Sequence, residues 1–168
     1  AYNYVAGFDW NVRFLKNWYF TGEGFLTKTR ELNDTELFDS DREFGTSGKT
    51  AAFDGEEYKG SGIHLVLSRN ARNYNFDVVF NGFTPTYQSY NGLFSSVGHK
   101  QWFMQHSYTI YPKNSFITRG SIRVNGSLQH NYAGLKKDEN IRPSFNLSLK
   151  GQTNINMSYL AHNNELFR

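Results

Sequence analysis

The sequence predicts an all-β protein, an antiparallel up-and-down transmembrane β-barrel that takes up the whole chain, 1–168, as one domain. Three observations support this fold class: long segments of alternating apolar and polar residues, connections that alternate between short and long, and an unusual composition. Aromatic residues make up 17% of the chain and cysteine is absent. Disordered chains are poor in aromatic residues and soluble cores depend mainly on Leu, Ile and Val, so this composition favours an outer-membrane barrel.

The first segment is the clearest strand. Every even position from Tyr2 to Phe14 is apolar or aromatic, and Val5 is the only apolar residue among the odd positions between them. This period of two predicts a strand with one apolar and one polar face. Its length exceeds the roughly 5–6 residues of an ordinary strand and suits a tilted strand that crosses a bilayer, which needs about 9–11.

Seven further segments show the same alternation, some of them weakly, and none has a convincing helical pattern. They are 18–29, 58–69, 74–82, 101–112, 115–131, 142–150 and 153–162. In a transmembrane barrel the apolar face meets lipid and the polar face lines the lumen. The residues predicted to face lipid are Phe8, Trp10, Phe14, Phe76, Phe80, Ile122, Val124, Phe145, Leu147 and Met157. The residues predicted to face the lumen are Asp9, Arg13, Asp77, Arg119, Arg123, Asn125 and Lys150.

The connections at 16–17, 70–73, 112–114 and 151–152 are short, whereas those at 30–57, 84–100 and 132–141 are long. Outer-membrane barrels have short periplasmic turns and long extracellular loops.

The alternative is a soluble β-barrel that binds a small apolar ligand inside, since alternation alone does not say which face points inward.

The direction of the strands predicts how the chain relates to a whole barrel. The strand 2–14 ends at a short, periplasmic turn, so it runs inward from the cell surface, and the eighth strand then runs outward. Both ends of the chain would lie at the surface, which predicts four hairpins from within a larger barrel. A closed eight-stranded barrel with surface termini is the alternative, and pairing between the first and last strands would identify it.

Catalytic and metal-binding motifs are missing from the sequence. The five histidines form none of the close pairs used by zinc sites, and there is no G-x-S-x-G nucleophile elbow. His106 and Ser107 are neighbours in a strand, so they face opposite sides of the sheet. The sequence thus indicates no cofactor and no catalytic residue. An outer-membrane hydrolase is kept as the third functional hypothesis, without a residue assigned to it.

Two features of the long connections suggest binding. The connection 30–57 carries nine of the 15 acidic residues. Clustered carboxylates bind calcium, and Asp39, Asp41 and Glu43 are a weak candidate for a calcium site. The alternative is a solvated loop without a bound ion. Tyr87 and Tyr90 are candidates for stacking on sugar rings, with an interfacial aromatic girdle as the alternative for the loop aromatics. No basic stripe accompanies these rings, which argues against nucleic acid.

Two stretches resemble a known family. They are GFDWNVRFLKNWYFTGEG at 7–24 and NGFTPTYQSYNGLF at 81–94, followed by the strand HSYTIYPKNSFI. They are similar to the uncharacterised outer-membrane β-barrel domain that follows a family-9-type carbohydrate-binding module in Gram-negative surface proteins. The matching positions are Gly7, Asp9, Arg13, Phe14, Pro85, Tyr87, Asn91, Gly92 and Leu93. The resemblance implies a barrel larger than this chain, with the carbohydrate-binding module upstream.

Together these observations predict a protein of the bacterial outer membrane that handles surface glycans or assists transport. The partners that follow are outer-membrane lipid and lipopolysaccharide, glycans, and other outer-membrane subunits.

Overall fold

The computed structural model describes residues 1–90, 96–113 and 115–164, and within them every regular element is a β-strand. The positions Asn91, Gly92 and Leu93 of the family resemblance lie outside the described residues. The strands are β1 (Tyr2–Phe14), β2 (Trp18–Arg30), β3 (Glu57–Arg69), β4 (Tyr74–Phe83), β5 (His99–Ile110), β6 (Ile117–Asn131), β7 (Lys136–Leu149), β8 (Asn154–Ser158) and β9 (Ala161–Asn164).

All nine strands form one antiparallel sheet, in which strands that follow each other along the chain lie side by side. The order runs from β1 to β8 without a crossover, and β9 pairs with β7 next to β8. Among the described residues, β1 pairs only with β2, while β8 and β9 pair only with β7. The sheet is therefore open and not closed into a barrel, and the closed eight-stranded arrangement is not found.

Most predicted strand boundaries agree with the structure, and two strands differ. The first six strands lie within two residues of their predicted ends, and β1 matches at both. β7 begins at Lys136 instead of 142, and the predicted strand 153–162 is divided into β8 and β9.

The division between β8 and β9 lies opposite Pro143. The register is the same on both sides of the break, since Ser144 pairs with Ser158 and Ile141 pairs with Ala161. Tyr159 donates its backbone N–H to the carbonyl of Pro143 at 3.1 Å, so the nitrogen of Pro143 faces the same neighbour. Because proline has no N–H, the reciprocal hydrogen bond is missing and the ladder is interrupted there.

The register places the side chains on two faces of the sheet, which we call the apolar face and the polar face. One row of directly paired residues on the apolar face consists of Val12, Phe20, Leu67, Val78, Met104, Gly126 and Ile141. All ten residues that were predicted to face lipid lie on this face.

Much of the apolar face is accessible to solvent: of the ten residues predicted to face lipid, five are exposed, five are half-buried and none is buried. Phe8 is 63% exposed, Ile122 56% and Met157 66%. Buried hydrophobic side chains are few, and they include Tyr58, Phe83 and Tyr87, which lie near the long connections on the polar side. Within the described residues, no helix is long and apolar enough to cross a membrane.

Candidate functional site

The polar face brings together most of the residues that the sequence predicted for the lumen. The register places six of the seven on this one face, namely Asp9, Arg13, Asp77, Arg119, Arg123 and Asn125. Lys150 lies just beyond the end of β7, in the turn that leads to β8.

Hydrogen bonds between neighbouring strands hold Asp77. Its carboxylate accepts a hydrogen bond from Ser68 on β3 at 2.6 Å and another from Gln105 on β5 at 3.3 Å. Arg13 instead turns towards the β1–β2 connection, where its Nε donates to the carbonyl of Lys16 at 2.7 Å. Among the described residues, none of the predicted lumen residues takes part in an ion pair.

A segment of the long connection after β4, residues 84–90, folds onto the polar face. Thr84 forms a two-way contact with Ser61, since the backbone N–H of Thr84 donates to the Ser61 carbonyl at 2.9 Å and the Ser61 N–H donates to Thr84 Oγ1 at 2.8 Å. Further on, the amide of Asn3 on β1 donates to the carbonyl of Gln88 at 3.1 Å. The segment thus crosses from β3 to β1.

Gly60 makes this close approach possible. A Cβ atom at this position would lie 2.4 Å from the Cα of Tyr87 and 2.7 Å from the carbonyl oxygen of Thr86. Both are backbone atoms, so no side-chain rotation would relieve the contact. Thr86 is also fixed here, because its hydroxyl donates to the Lys59 carbonyl at 2.6 Å.

Beneath the segment lies a small buried cluster. Tyr87 is 2% exposed, Thr29 is fully buried and Tyr58 is 5% exposed. The ring of Tyr87 contacts Phe83 and Phe25, with centroids 5.2 and 6.4 Å away.

Glu31 is the one buried acid of this cluster. It is 5% exposed, and Tyr58 Oη donates a hydrogen bond of 2.5 Å to its Oε1. Its Oε2 and the Oε1 of Gln88 are buried without a hydrogen-bond partner among the described residues. Burial raises the pKa of Glu31, the Tyr58 hydrogen bond partly opposes this, and the nearby charges of Asp54 and Glu56 raise the pKa further.

The two tyrosines proposed for sugar stacking lie in different environments. Tyr87 is buried under aromatic neighbours, so its ring is not accessible to a sugar in this structure. Tyr90 is 62% exposed, and its backbone N–H donates to Asn3 Oδ1 at 3.4 Å. Only Tyr90 presents a ring to solvent.

The carboxylates of the β2–β3 connection are not gathered around a common point. Among residues 1–90, 96–113 and 115–164, no group of three or more His, Cys, Asp or Glu side chains could hold a metal ion. Asp39, Asp41 and Glu43 therefore do not form such a group.

Gly60, Glu31 and Gln88 were not predicted from the sequence as site residues. A signal for Gly60 was present, because Gly60 and Gly62 occupy alternate positions of a strand and so leave space on one face. Glu31 was counted with the other loop carboxylates, and no local pattern separates a buried carboxylate from exposed ones.

Comparison of the chain with protein-family models, with curated proteins and with solved structures found no match.

Proposed function

We propose that this chain is part of a transmembrane β-barrel in a bacterial outer membrane. The apolar face lies against lipid, the polar face lines the lumen, and the long connections lie at the cell surface. The observation that carries the proposal is the apolar face itself, which extends across the sheet from β1 to β9 and on which none of the ten residues predicted to face lipid is buried. A soluble protein rarely leaves an apolar patch of this extent uncovered.

The height of the apolar face suits a bilayer. On β1 it extends over residues 2–14, which is about 40 Å along the strand at roughly 3.3 Å per residue. At the usual tilt of about 35–45° this corresponds to roughly 30 Å along the bilayer normal, which spans the apolar band of about 25 Å that outer-membrane barrels have and reaches the aromatic girdle at its edge.

The packing of the long connections favours the polar face as the inner one. In a soluble barrel with an apolar interior, the polar face would be the outside. Here the segment 84–90 covers the polar face and buries Thr29 and Tyr87, whereas Phe8 on the apolar face is 63% exposed. The soluble barrel that binds an apolar ligand is therefore the less favoured alternative.

The two edges of the sheet imply further strands. β1 and the β8–β9 edge carry backbone groups that no strand of the described residues pairs with. Lipid cannot satisfy such groups, so a bilayer requires them to be paired. We infer that additional strands complete the barrel at both edges.

The role that we propose for this barrel is to handle surface glycans or to assist transport. Tyr90 supports it, since it presents an exposed aromatic ring from a long connection. Titration with oligosaccharides should show binding that Tyr90→Ala removes, whereas Tyr111→Ala, in a short connection at the opposite end of the sheet, should leave it unchanged. Binding that is equal in both variants would contradict the glycan role.

Membrane location is tested by fractionation. The full-length protein, expressed with an export signal in a Gram-negative host, should be found in the outer-membrane fraction and be released only by detergent. Recovery in the soluble fraction without detergent would overturn the proposal.

A further inference from the structure

Positive charges face each other at one end of the apolar face. Lys28 on β2 lies directly opposite Lys59 on β3, and Arg30 is on the same face, opposite Glu57. Three positive charges and one negative charge give this group a net charge of +2. Like charges directly opposite each other destabilise a sheet, so the pair needs a compensating partner.

The protein itself supplies only part of this compensation. Glu57 Oε1 lies 2.9 Å from Lys28 Nζ, and the same ammonium lies 5.7 Å from the centroid of the Tyr2 ring. Within the described residues, Lys59 has no carboxylate at ion-pair distance. Glu57 can neutralise one cation of the group and leaves the others.

The strand register places these cations on the apolar face of the sheet. The residues between them point the other way and are buried, with Thr27 4%, Thr29 0% and Tyr58 5% exposed. On the apolar face, the next residue of β2 towards the centre of the sheet is Leu26, which is 62% exposed. The cations therefore lie where the apolar face meets the long connections.

The same arrangement recurs further along this end of the sheet. Lys100 on β5 lies directly opposite His130 on β6, which in turn pairs with Lys136 on β7. Basic residues thus border the apolar face at two separate places.

We propose that the Lys28–Lys59 pair binds a phosphate group of lipopolysaccharide. The inference rests on the proposed function, because it requires the apolar face to lie in an outer membrane. A phosphate between the two ammonium groups replaces their repulsion by charge-assisted hydrogen bonds, and the acyl chains of the same molecule cover the exposed Leu26. An anionic lipid meets both needs, whereas free phosphate meets only the first.

The test uses the full-length protein that contains this chain, in neutral detergent. The protein is titrated with diphosphorylated and with dephosphorylated lipid A, and binding is measured by native mass spectrometry. Replacing both lysines (Lys28→Gln with Lys59→Gln) should weaken binding of the diphosphorylated form about 30-fold, at about one kcal/mol for each lysine. The dephosphorylated form should bind equally to both proteins. The control, Lys16→Gln with Lys150→Gln, removes two charges from the short connections and should bind like the wild type.

A single variant separates binding from folding. Lys59→Glu replaces the like-charged pair by an attractive one, so the melting temperature should be unchanged or higher while the preference for phosphorylated lipid is lost. Wild-type affinity in the double lysine variant, or an equal loss in the control, would overturn the inference. Insertion of the wild-type protein into neutral vesicles tests the proposed function separately. If the protein does not insert, both proposals fail. If it inserts normally and the double lysine variant binds lipid A as the wild type does, only the lipopolysaccharide proposal fails.

Discussion

At the scale of single residues, Glu31 has the largest conflict between charge and environment. It is buried, one carboxylate oxygen accepts a hydrogen bond from Tyr58, and the other has no partner among the described residues. A buried carboxylate without full hydrogen bonding is costly when ionised. The folded state is therefore less stable when Glu31 is charged than when it is neutral.

The first prediction concerns pH. The folded-state pKa of Glu31 is raised by burial, so its stabilising contribution is complete below the unfolded-state pKa of about 4.3 and is lost as the pH rises through the folded value. Glu31→Gln keeps an acceptor for Tyr58 and should remove this loss, which raises stability at neutral pH relative to the wild type. Denaturant unfolding from about pH 4 to 8 measures it.

A matched control for this prediction is Glu36→Gln in the same connection, because Glu36 is exposed. The control should keep the wild-type pH dependence. A Glu31→Gln variant that loses stability with rising pH just as the wild type does would contradict the explanation.

The second prediction concerns Gly60, whose missing Cβ gives room to the backbone of Thr86 and Tyr87. Gly60→Ala should displace the segment 84–90 and cost about 1–3 kcal/mol, as overpacking usually does. Gly126→Ala is the control, since its Cβ would meet only the Asn140 carbonyl oxygen at 3.6 Å. Unfolding midpoints and proteolysis of the segment compare the two, and equal effects would argue against close packing at Gly60.

At the scale of elements, Pro143 determines where the last edge of the sheet is interrupted. Its nitrogen faces Tyr159, so the missing donor affects the β8–β9 side and leaves the ladder to β6 intact. Proline is tolerated in strands mainly at such edges.

The third prediction is that Pro143→Val joins β8 and β9 into one strand. The new N–H can donate to the carbonyl of Tyr159, and a net gain of about 0.5–1.5 kcal/mol is typical of one hydrogen bond. Hydrogen exchange should show slow exchange of the new amide at position 143 and slower exchange around Ala161. Fast exchange at position 143 would mean that the break has another cause.

Strand prediction succeeded where alternation was strict and failed where charge concealed it. β1 was predicted at both ends because its apolar face is continuous. The first residues of β7 are KKDENI, which look like a loop, but in the structure they pair with β6 and with β9. Contacts such as the hydrogen bond from Asn140 Nδ2 on β7 to Ser127 Oγ on β6, at 2.6 Å, exist only once these strands are side by side.

At the scale of the whole molecule, the division into two faces could be predicted from the sequence, since a period of two assigns every side chain of a strand to one face. The fold of the long connections could not be predicted, because it depends on contacts between residues far apart in the chain, such as Asn3 with Gln88. Open edges were expected from the order of short and long connections, and the described strands β1, β8 and β9 do not pair with one another.

The central claim, that the apolar face lies against lipid, is tested most directly by tryptophan fluorescence. All three tryptophans, Trp10, Trp18 and Trp102, lie on the apolar face, and Trp102 is 48% exposed. The first variant carries Trp10→Phe and Trp18→Phe, so that Trp102 is the reporter. The second variant also carries Trp102→Phe and Phe103→Trp, which transfers the indole to the polar face.

The full-length protein, with every tryptophan other than Trp102 replaced, is reconstituted in vesicles with brominated acyl chains. Its fluorescence should be strongly quenched, and the variant with the transferred indole should be quenched far less. Absence of quenching at Trp102, or equal quenching of the two proteins, would contradict the account.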